Sequence, residues 1–227
     1  MNKTFDEVVD FFERFNDLVK DSQNDIIICP PSTLIGVADE FAHEDIALGA
    51  QNLHPAKSGA YTGEISATMI SDVGADYVLI GHSERRAQFG ETDEFLNEKV
   101  KAALAAELTP IFCIGETLAE REGNKTEAIL AQQIKKGLVG VKEPLVVAYE
   151  PVWAIGTGKV ATLEQIKEAH AFVNKTLKTL GLDVPVLYGG SVNEKNAAEI
   201  MAIENVDGVL VGGASLDAEK FATIANV

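Results

Sequence analysis

An acidic residue ends an apolar segment in the stretch AYEPVWAIGTGK, which runs from Ala148 to Lys159. Glu150 follows a run with the composition of a buried strand, so we expect its carboxylate to lose part of its hydration. Desolvation raises the pKa of a carboxylate and makes it a stronger base. An acid at a strand end, taken alone, is more often a helix cap or a solvated residue. The loop that follows favours a general base.

That loop has the composition of a closing lid. Pro151-Val152-Trp153 predicts a stiff first hinge, Ala154 to Gly158 a tip of small and apolar residues, and Lys159 to Ala161 a second hinge. Closure of such a segment excludes water and offers backbone N–H groups to an anion. The stretch therefore predicts a base that is covered during the reaction.

His82 is the second candidate for chemistry. It follows the apolar run YVLIG and precedes Ser83-Glu84-Arg85-Arg86, a polar run that predicts a short helix. The dipole at a helix N-terminus disfavours imidazolium, so we expect a neutral imidazole that donates a hydrogen bond. An isolated histidine is more often structural. His82 and Glu150 both follow strand-like runs, however, which favours a shared functional site.

Glycine turns end the last two strand-like runs, at Gly189-Gly190-Ser191 and at Gly212-Gly213. Bare glycine amides at such positions commonly bind phosphate. One glycine turn is a weak signal, but two in adjacent units, with Gly156 on the lid as a further donor, predict a phosphate site. The site needs no net positive charge, which matters in a chain of formal net charge -16.

The elements that must position these residues alternate along the chain. Seven continuous apolar runs predict strands buried on both faces of a parallel sheet, at residues 25–29, 46–50, 77–81, 110–114, 145–149, 185–188 and 207–211. Eight segments predict helices, at residues 5–19 (with Thr4 as N-cap), 31–41, 63–72, 92–107, 117–138, 162–180, 194–203 and 217–225. This order predicts an α/β fold, a (β/α) barrel forming a single domain over residues 1–227, with its active site at the C-terminal ends of the strands.

Composition and charge argue against several functional classes. No apolar run approaches the ~20 residues of a membrane helix, and the acidic first twenty residues do not resemble a secretory signal. The negative net charge disfavours nucleic acid and anionic membranes as partners. Cys29 and Cys113 lie in strand-like runs without metal-site spacing, so we expect two reduced core thiols. A cytoplasmic protein is expected.

Six segments of the chain resemble the triosephosphate isomerase family, in that family's order: LGAQNLHPAKSGAYTGEISATMI, GADYVLIGHSERR, FCIGETLAERE, AYEPVWAIGTGK, LYGGSVN and DGVLVGGASL. The resemblance implies a TIM-type barrel in which Glu150 moves a proton between two carbons of a triose phosphate and His82 polarises its oxygens. It implies that the phosphate is bound by Gly156, Ser191, Gly212 and Gly213, with Ser83 and Glu84 in supporting roles. It further implies no metal or cofactor, and at least a dimer formed through the loop around Thr62.

The chain departs from the family pattern at its start. The family has a first strand ending in asparagine, tryptophan and lysine before a Met-Asn pair, whereas this sequence begins at Met1-Asn2. We therefore expect the first strand and the catalytic lysine to be missing and Glu84 to lack a mate, while Lys3 points from the first helix. Loss of one preorganised donor to an oxyanion costs about 3 kcal/mol, roughly a hundredfold in rate. A gap or unusual closure is expected between residues 25–29 and 207–211, covered by another subunit.

Three hypotheses follow. The first is a triosephosphate isomerase that interconverts dihydroxyacetone phosphate and D-glyceraldehyde 3-phosphate, with activity altered by the missing lysine. The second is a catalytically weak phosphate-ligand-binding or assembly protein on the same scaffold. The third is that the recorded chain begins at an internal methionine of a longer protein.

Overall fold

The computed structural model of the chain describes residues 1–157 and 159–227. Its seven strands form one parallel sheet in sequence order. They are Ile26–Ile28 (β1), Ile46–Ala50 (β2), Tyr77–Ile80 (β3), Thr109–Ile114 (β4), Val146–Tyr149 (β5), Val186–Tyr188 (β6) and Gly208–Val209 (β7). All seven predicted strands are present, most of them shortened by one to three residues, and the α/β fold of TIM type is confirmed.

Ten α-helices connect and flank these strands in the described part of the chain. They are Phe5–Val19 (α1), Ile35–Phe41 (α2), Ala67–Asp72 (α3), Ser83–Phe89 (α4), Asp93–Leu104 (α5), Leu118–Glu122 (α6), Thr126–Gly137 (α7), Leu163–Thr179 (α8), Ala197–Met201 (α9) and Ala218–Ala225 (α10). Short 3-10 turns cover Ser32–Leu34, Val152–Ala154 and Gly213–Leu216. Within the two described ranges, no helix is both long enough and apolar enough to cross a membrane.

Two differences explain why ten helices are seen where eight were predicted. The single helix expected over residues 117–138 is divided into α6 and α7, because α6 ends at Glu122, with Gly123 as its C-cap, and Asn124 adopts the left-handed conformation with φ 54°. A helix cannot continue through such a residue. The other addition is α4, the short helix predicted after His82, which the count of eight had not included.

The core has two parts, one on each face of the sheet. The larger part lies between the strands and the outer helices. The smaller part fills the interior of the curled sheet and is centred on Leu79, Ile111, Cys113 and Ala148. Edge-strand side chains such as Ile27 on β1 are only partly buried around this inner cluster. The interior is therefore best shielded at the middle strands, where the candidate site also lies.

The first and last helices, α1 and α10, pack together over the opening between β7 and β1. No pairing joins β7 to β1 among the described residues, which agrees with the expected gap. Outside the gap, α1 packs on α10, and the rings of Phe15 and Phe221 stack with centroids 5.2 Å apart. Ser22 Oγ and Asn24 Nδ2 each donate to the Ala225 carbonyl, at 2.8 and 2.9 Å. The seam between the first and last helices is thus closed while the sheet is open.

Candidate active site

Glu150 directly follows β5 and is almost completely buried, with 2% of its surface exposed. Its backbone N–H donates to the carbonyl of Ile114 on β4 at 2.7 Å. Two flanking glycines make room for it: a Cβ on Gly115 would overlap the Glu150 carbonyl oxygen, and one on Gly189 would lie 2.9 Å from Glu150 Cγ. The carboxyl group therefore lies in a desolvated position that only small neighbours permit.

His82 and Glu150 contact each other directly. The distance from His82 Nε2 to Glu150 Oε1 is 2.9 Å, and the Ser83 backbone N–H donates to Oε2 at 3.1 Å. His82 is the N-cap of α4, and its Nδ1 accepts from the Glu84 backbone N–H at 3.3 Å. Because Nδ1 accepts a hydrogen bond, the proton of a neutral ring must be on Nε2. The imidazole is thus oriented to donate into the site.

The pKa of His82 is raised above its ordinary value. Burial acts to lower it, but the hydrogen bond and the negative charge of Glu150 act in the opposite sense and prevail, with a smaller contribution from Glu84. This direction is opposite to the lowering expected from the N-terminus of α4. The reason is that the carboxylate contacts the ring directly, whereas α4 is a helix of only seven residues with a weak dipole.

The base of the lid is bound to a second buried acid, Glu116. Its carboxylate, which has no exposed surface, accepts hydrogen bonds from Trp153 Nε1 at 2.9 Å and from Arg121 Nη1 at 3.0 Å. The Tyr149 hydroxyl donates to the same carboxylate at 3.1 Å. The Arg121 guanidinium also lies over the Trp153 ring, 4.8 Å from its centre. The first hinge of the lid is therefore fixed to the ends of β4 and β5.

The rest of the lid is described except for Gly158, which lies outside the described residues. Val152 to Ala154 form a 3-10 turn, and the Thr157 hydroxyl donates to the Trp153 carbonyl at 2.7 Å. Ser191 Oγ donates to the Ala154 carbonyl at 2.5 Å. A residue predicted to bind phosphate thus contacts the lid in this structure.

Three of the predicted phosphate-binding residues, Ser191, Gly212 and Gly213, follow β6 and β7, whereas Gly156 lies in the lid after β5. Ser191 is half-buried, whereas Gly156, with φ 64°, and both Gly212 and Gly213 are exposed. A Cβ on any of these three glycines would meet no atom within 4 Å. The two turns follow strands that pair directly, Tyr188 opposite Val209. The sheet thus brings the glycine turns to one edge, beside the lid.

Ser83 and Glu84, the predicted supporting residues, contact Glu150 and His82 through their backbones. Ser83 donates its N–H to Glu150, and Glu84 donates its N–H to His82. The Glu84 side chain is exposed and forms no ion pair with any described residue. Lys3 precedes α1, and its Nζ lies over the Phe11 ring of that helix, 5.0 Å from the ring centre.

Sequence analysis did not find the roles of Glu116 and Arg121. Glu116, like Glu150, follows an apolar strand, and this position alone could have identified it as a candidate site residue. Its partners come from a separate helix and from the lid, so the role was visible only in three dimensions. In the described residues, no group of three or more His, Cys, Asp or Glu side chains is placed to hold a metal ion.

Comparisons with known proteins identify the family of this chain. The family model described as triosephosphate isomerase matches residues 1–227. A triosephosphate isomerase of Endomicrobium trichonymphae is 49% identical over 231 residues, covering 97% of this chain and 92% of the relative. One from Clostridium botulinum (strain ATCC 19397 / Type A) is 48% identical, covering 100% of this chain and 95% of the relative. One from Carboxydothermus hydrogenoformans is 48% identical, covering 99% and 94%. This chain therefore belongs to the triosephosphate isomerase family.

Proposed function

We propose that this chain interconverts dihydroxyacetone phosphate and D-glyceraldehyde 3-phosphate by proton transfer through an enediolate. The observation that carries the proposal is the 2.9 Å contact between His82 Nε2 and the buried Glu150 carboxylate at the ends of β3 and β5. The names of the relatives support the same activity. The proposal includes a role in glycolysis and gluconeogenesis, a cytoplasmic location and a single domain over residues 1–227.

Glu150 is the proposed base. Its carboxylate takes a proton from the carbon next to the substrate carbonyl, which leaves an enediolate. It returns the proton to the neighbouring carbon, while the hydroxyl proton of the substrate passes to the former carbonyl oxygen. Burial supports this role because it keeps bulk water away from the carboxylate. In this structure Oε1 is bonded to His82, so substrate must separate the two side chains before Glu150 can reach a carbon-bound proton.

His82 is the proposed donor to the substrate oxygens. Its Nε2–H is held in place by the Glu84 N–H on the opposite nitrogen. When a substrate oxygen takes the place of Glu150 Oε1, the contact that raises the pKa of His82 is weakened, which favours the neutral donor. A preorganised donor aimed at a developing oxyanion contributes roughly 3 kcal/mol to lowering the barrier.

The glycine turns and the lid are the proposed phosphate site. Gly212 and Gly213 leave their backbone open to a ligand, and Gly156 is the corresponding exposed glycine of the lid. Ser191 would exchange its bond to the Ala154 carbonyl for the phosphate or for the closed lid. The chain carries a net charge of -16, so binding of a dianion must depend on these local amide dipoles.

The test is turnover of dihydroxyacetone phosphate by the purified chain in deuterium oxide. An enediolate mechanism transfers solvent deuterium to carbon, which proton NMR of the product detects. A parallel preparation of Glu150→Gln controls for a contaminating isomerase, because contamination would be the same in both. Binding of substrate without turnover, or turnover without deuterium at carbon, would reject the proposed mechanism.

We further propose that the chain is at least a dimer, associated through the loop around Thr62. Residues 57–64 of this loop are all exposed, and its neck is closed by the His54 N–H, which donates to the Ile65 carbonyl at 2.8 Å. Tyr61 remains 49% exposed although its ring packs on His54, with centroids 4.3 Å apart. A projecting loop with an exposed aromatic residue is typical of a contact surface.

Sedimentation velocity over a range of protein concentrations tests the association. The expected result is a dimer or larger species that Thr62→Arg weakens, because a bulky charge at the loop tip would be buried in the contact. Thr179→Arg, an equal change at an exposed position on α8, is the matched control. A stable monomer at all concentrations would contradict the proposal.

A further inference from the structure

Arg86 holds three parts of the molecule together beneath the candidate site. Its side chain is 17% exposed and projects from α4. Nε donates to the Gly81 carbonyl at 2.8 Å, Nη2 donates to the Cys113 carbonyl at 3.0 Å, and Nη1 pairs with Asp93 Oδ1 at 2.7 Å. All three guanidinium nitrogens are therefore bonded, to two strand ends and to the start of α5.

The first of these contacts fixes the peptide directly before His82. The Gly81 carbonyl belongs to the peptide group that joins Gly81 to His82, and Gly81 has a φ of 78°, a conformation that favours glycine. A Cβ on Gly81 would lie 2.9 Å from Leu96 Cδ1 and 3.1 Å from Arg86 Nη2, so this peptide is enclosed on that side. Rotation of the peptide would turn the His82 side chain away from Glu150.

The second contact supports the strand end next to Glu150. Cys113 is the penultimate residue of β4, and the following residue, Ile114, accepts the Glu150 backbone N–H at 2.7 Å. The guanidinium thus bonds the backbone on both sides of the His82–Glu150 contact. Bonding two carbonyls and a carboxylate at once needs the planar array of donors that arginine has and lysine lacks.

We propose that Arg86 is a positioning residue for the His82–Glu150 pair, which acts by fixing the Gly81 carbonyl and the end of β4. Arg86 touches neither reacting group, so its effect is on their separation and orientation. A misplacement of about 1 Å in a catalytic geometry lowers the rate by roughly a hundredfold. The kinetic part of this inference rests on the proposed isomerase function, whereas the geometric part does not.

The kinetic test compares Arg86→Lys with two controls. Arg86→Lys keeps the charge and is expected to lower kcat by about a hundredfold with little change in KM, because the phosphate site is untouched. Arg85→Lys alters the neighbouring arginine, which pairs with Glu91 at 2.8 Å and bonds neither Gly81 nor Cys113. Asp93→Asn weakens the ion pair but leaves both carbonyl bonds. Both controls are expected to keep kcat within a few-fold of the unaltered chain.

A second readout does not depend on turnover. The His82 Nε2–H signal in ¹⁵N-labelled protein, assigned by its loss in His82→Gln, reports the hydrogen bond to Glu150. Arg86→Lys is expected to shift this signal and to speed its exchange with solvent, whereas Arg85→Lys and Asp93→Asn leave it in place. Thermal unfolding of each variant shows whether it is folded, and Arg86→Gln, which has one donor nitrogen where arginine has three, replaces Arg86→Lys if the latter does not fold.

The outcomes separate the two claims. No turnover by the unaltered chain would reject the proposed function, while the His82 signal would still decide the role of Arg86. An unchanged His82 signal in folded Arg86→Lys would overturn the positioning role, and so would a loss of kcat in Asp93→Asn as large as in Arg86→Lys. In the second case kcat would depend on the ion pair between Arg86 and Asp93, and not on the hydrogen bonds from Arg86 to the two carbonyls.

Discussion

Two buried carboxylates lie at the ends of adjacent strands, yet their surroundings suit them to different tasks. Glu116 follows β4 and Glu150 follows β5, and both are at most 2% exposed. Glu116 accepts hydrogen bonds from a guanidinium, an indole and a phenol, which hold its carboxylate in place. Glu150 accepts bonds from an imidazole and one backbone N–H. Burial alone therefore does not make a carboxylate a catalytic base. The hydrogen-bond donors around the carboxylate determine whether it is free to react.

The largest expected difference between the two acids is in rate. Glu150→Gln is expected to lower kcat by about 10²–10⁴-fold, because an amide cannot accept the substrate proton. Glu116→Gln keeps the base and should lower kcat by less than about tenfold, since its partners hold only the first hinge of the lid. Steady-state assays of both variants provide the measurement. Equal losses of kcat in the two variants would show that the two carboxylates do not differ in function as proposed.

The free energy of unfolding should be affected in the reverse order, with a larger loss in Glu116→Gln than in Glu150→Gln. Glu116→Gln turns an amide group toward Arg121, Tyr149 or Trp153, so at least one buried donor loses its acceptor, at a cost of about 1–3 kcal/mol. Glu150→Gln should cost less, because no guanidinium is left without a partner. Urea unfolding of the two variants measures both free energies. A larger loss in Glu150→Gln would contradict this ranking.

A single methyl group beside Glu150 should have a smaller effect on rate. In Gly189→Ala the new Cβ would lie 2.9 Å from Glu150 Cγ, which must move by a few tenths of an ångström. We expect kcat to fall by roughly tenfold, since small displacements of a positioned group are costly. Gly36→Ala in α2, where a Cβ would meet no atom within 4 Å, is the control and should leave kcat unchanged. An unaltered kcat in Gly189→Ala would show that Glu150 has more room than its neighbours suggest.

The smallest expected effect is on the pH dependence of stability. Glu150 raises the pKa of His82, so the stability that this pair contributes is present below pH 6.5 and is lost as the pH rises through the raised pKa. His170 lies on α8 and is fully buried. Burial lowers its pKa, so its contribution to stability is present above pH 6.5 and is lost as the pH falls through the lowered pKa. The two histidines thus act in opposite directions.

Urea unfolding between pH 5 and 8 separates these contributions. Glu150→Gln should remove the His82 contribution, so that stability rises more steeply, or falls less, as the pH increases above 6.5. Glu116→Gln should keep the pH dependence of the unaltered chain, because Glu116 does not contact His82. If both variants had the same pH dependence as the unaltered chain, the charge of Glu150 would not be what raises the pKa of His82.

Much of this arrangement was predictable from sequence because it is local. Apolar runs located all seven strands, and the acid and the histidine that directly follow two of them were identified by position. The break between α6 and α7 was missed because it depends on one left-handed asparagine, which helical periodicity does not reveal. The contacts of Glu116 with Tyr149 and Trp153, and of Arg86 with Cys113, were missed for another reason: they join residues 27 to 37 positions apart, which the pairing of adjacent strands brings together.

The closed seam between α1 and α10 has a consequence for how the molecule is assembled. The aromatic face of α1 stacks on Phe221, and Ser22 bonds a carbonyl 203 residues further along the chain. The first helix therefore completes its packing only after the last helix is available. Contacts of such high sequence separation slow folding. During synthesis, the face of α1 that carries Phe15 therefore remains incompletely packed until α10 has left the ribosome.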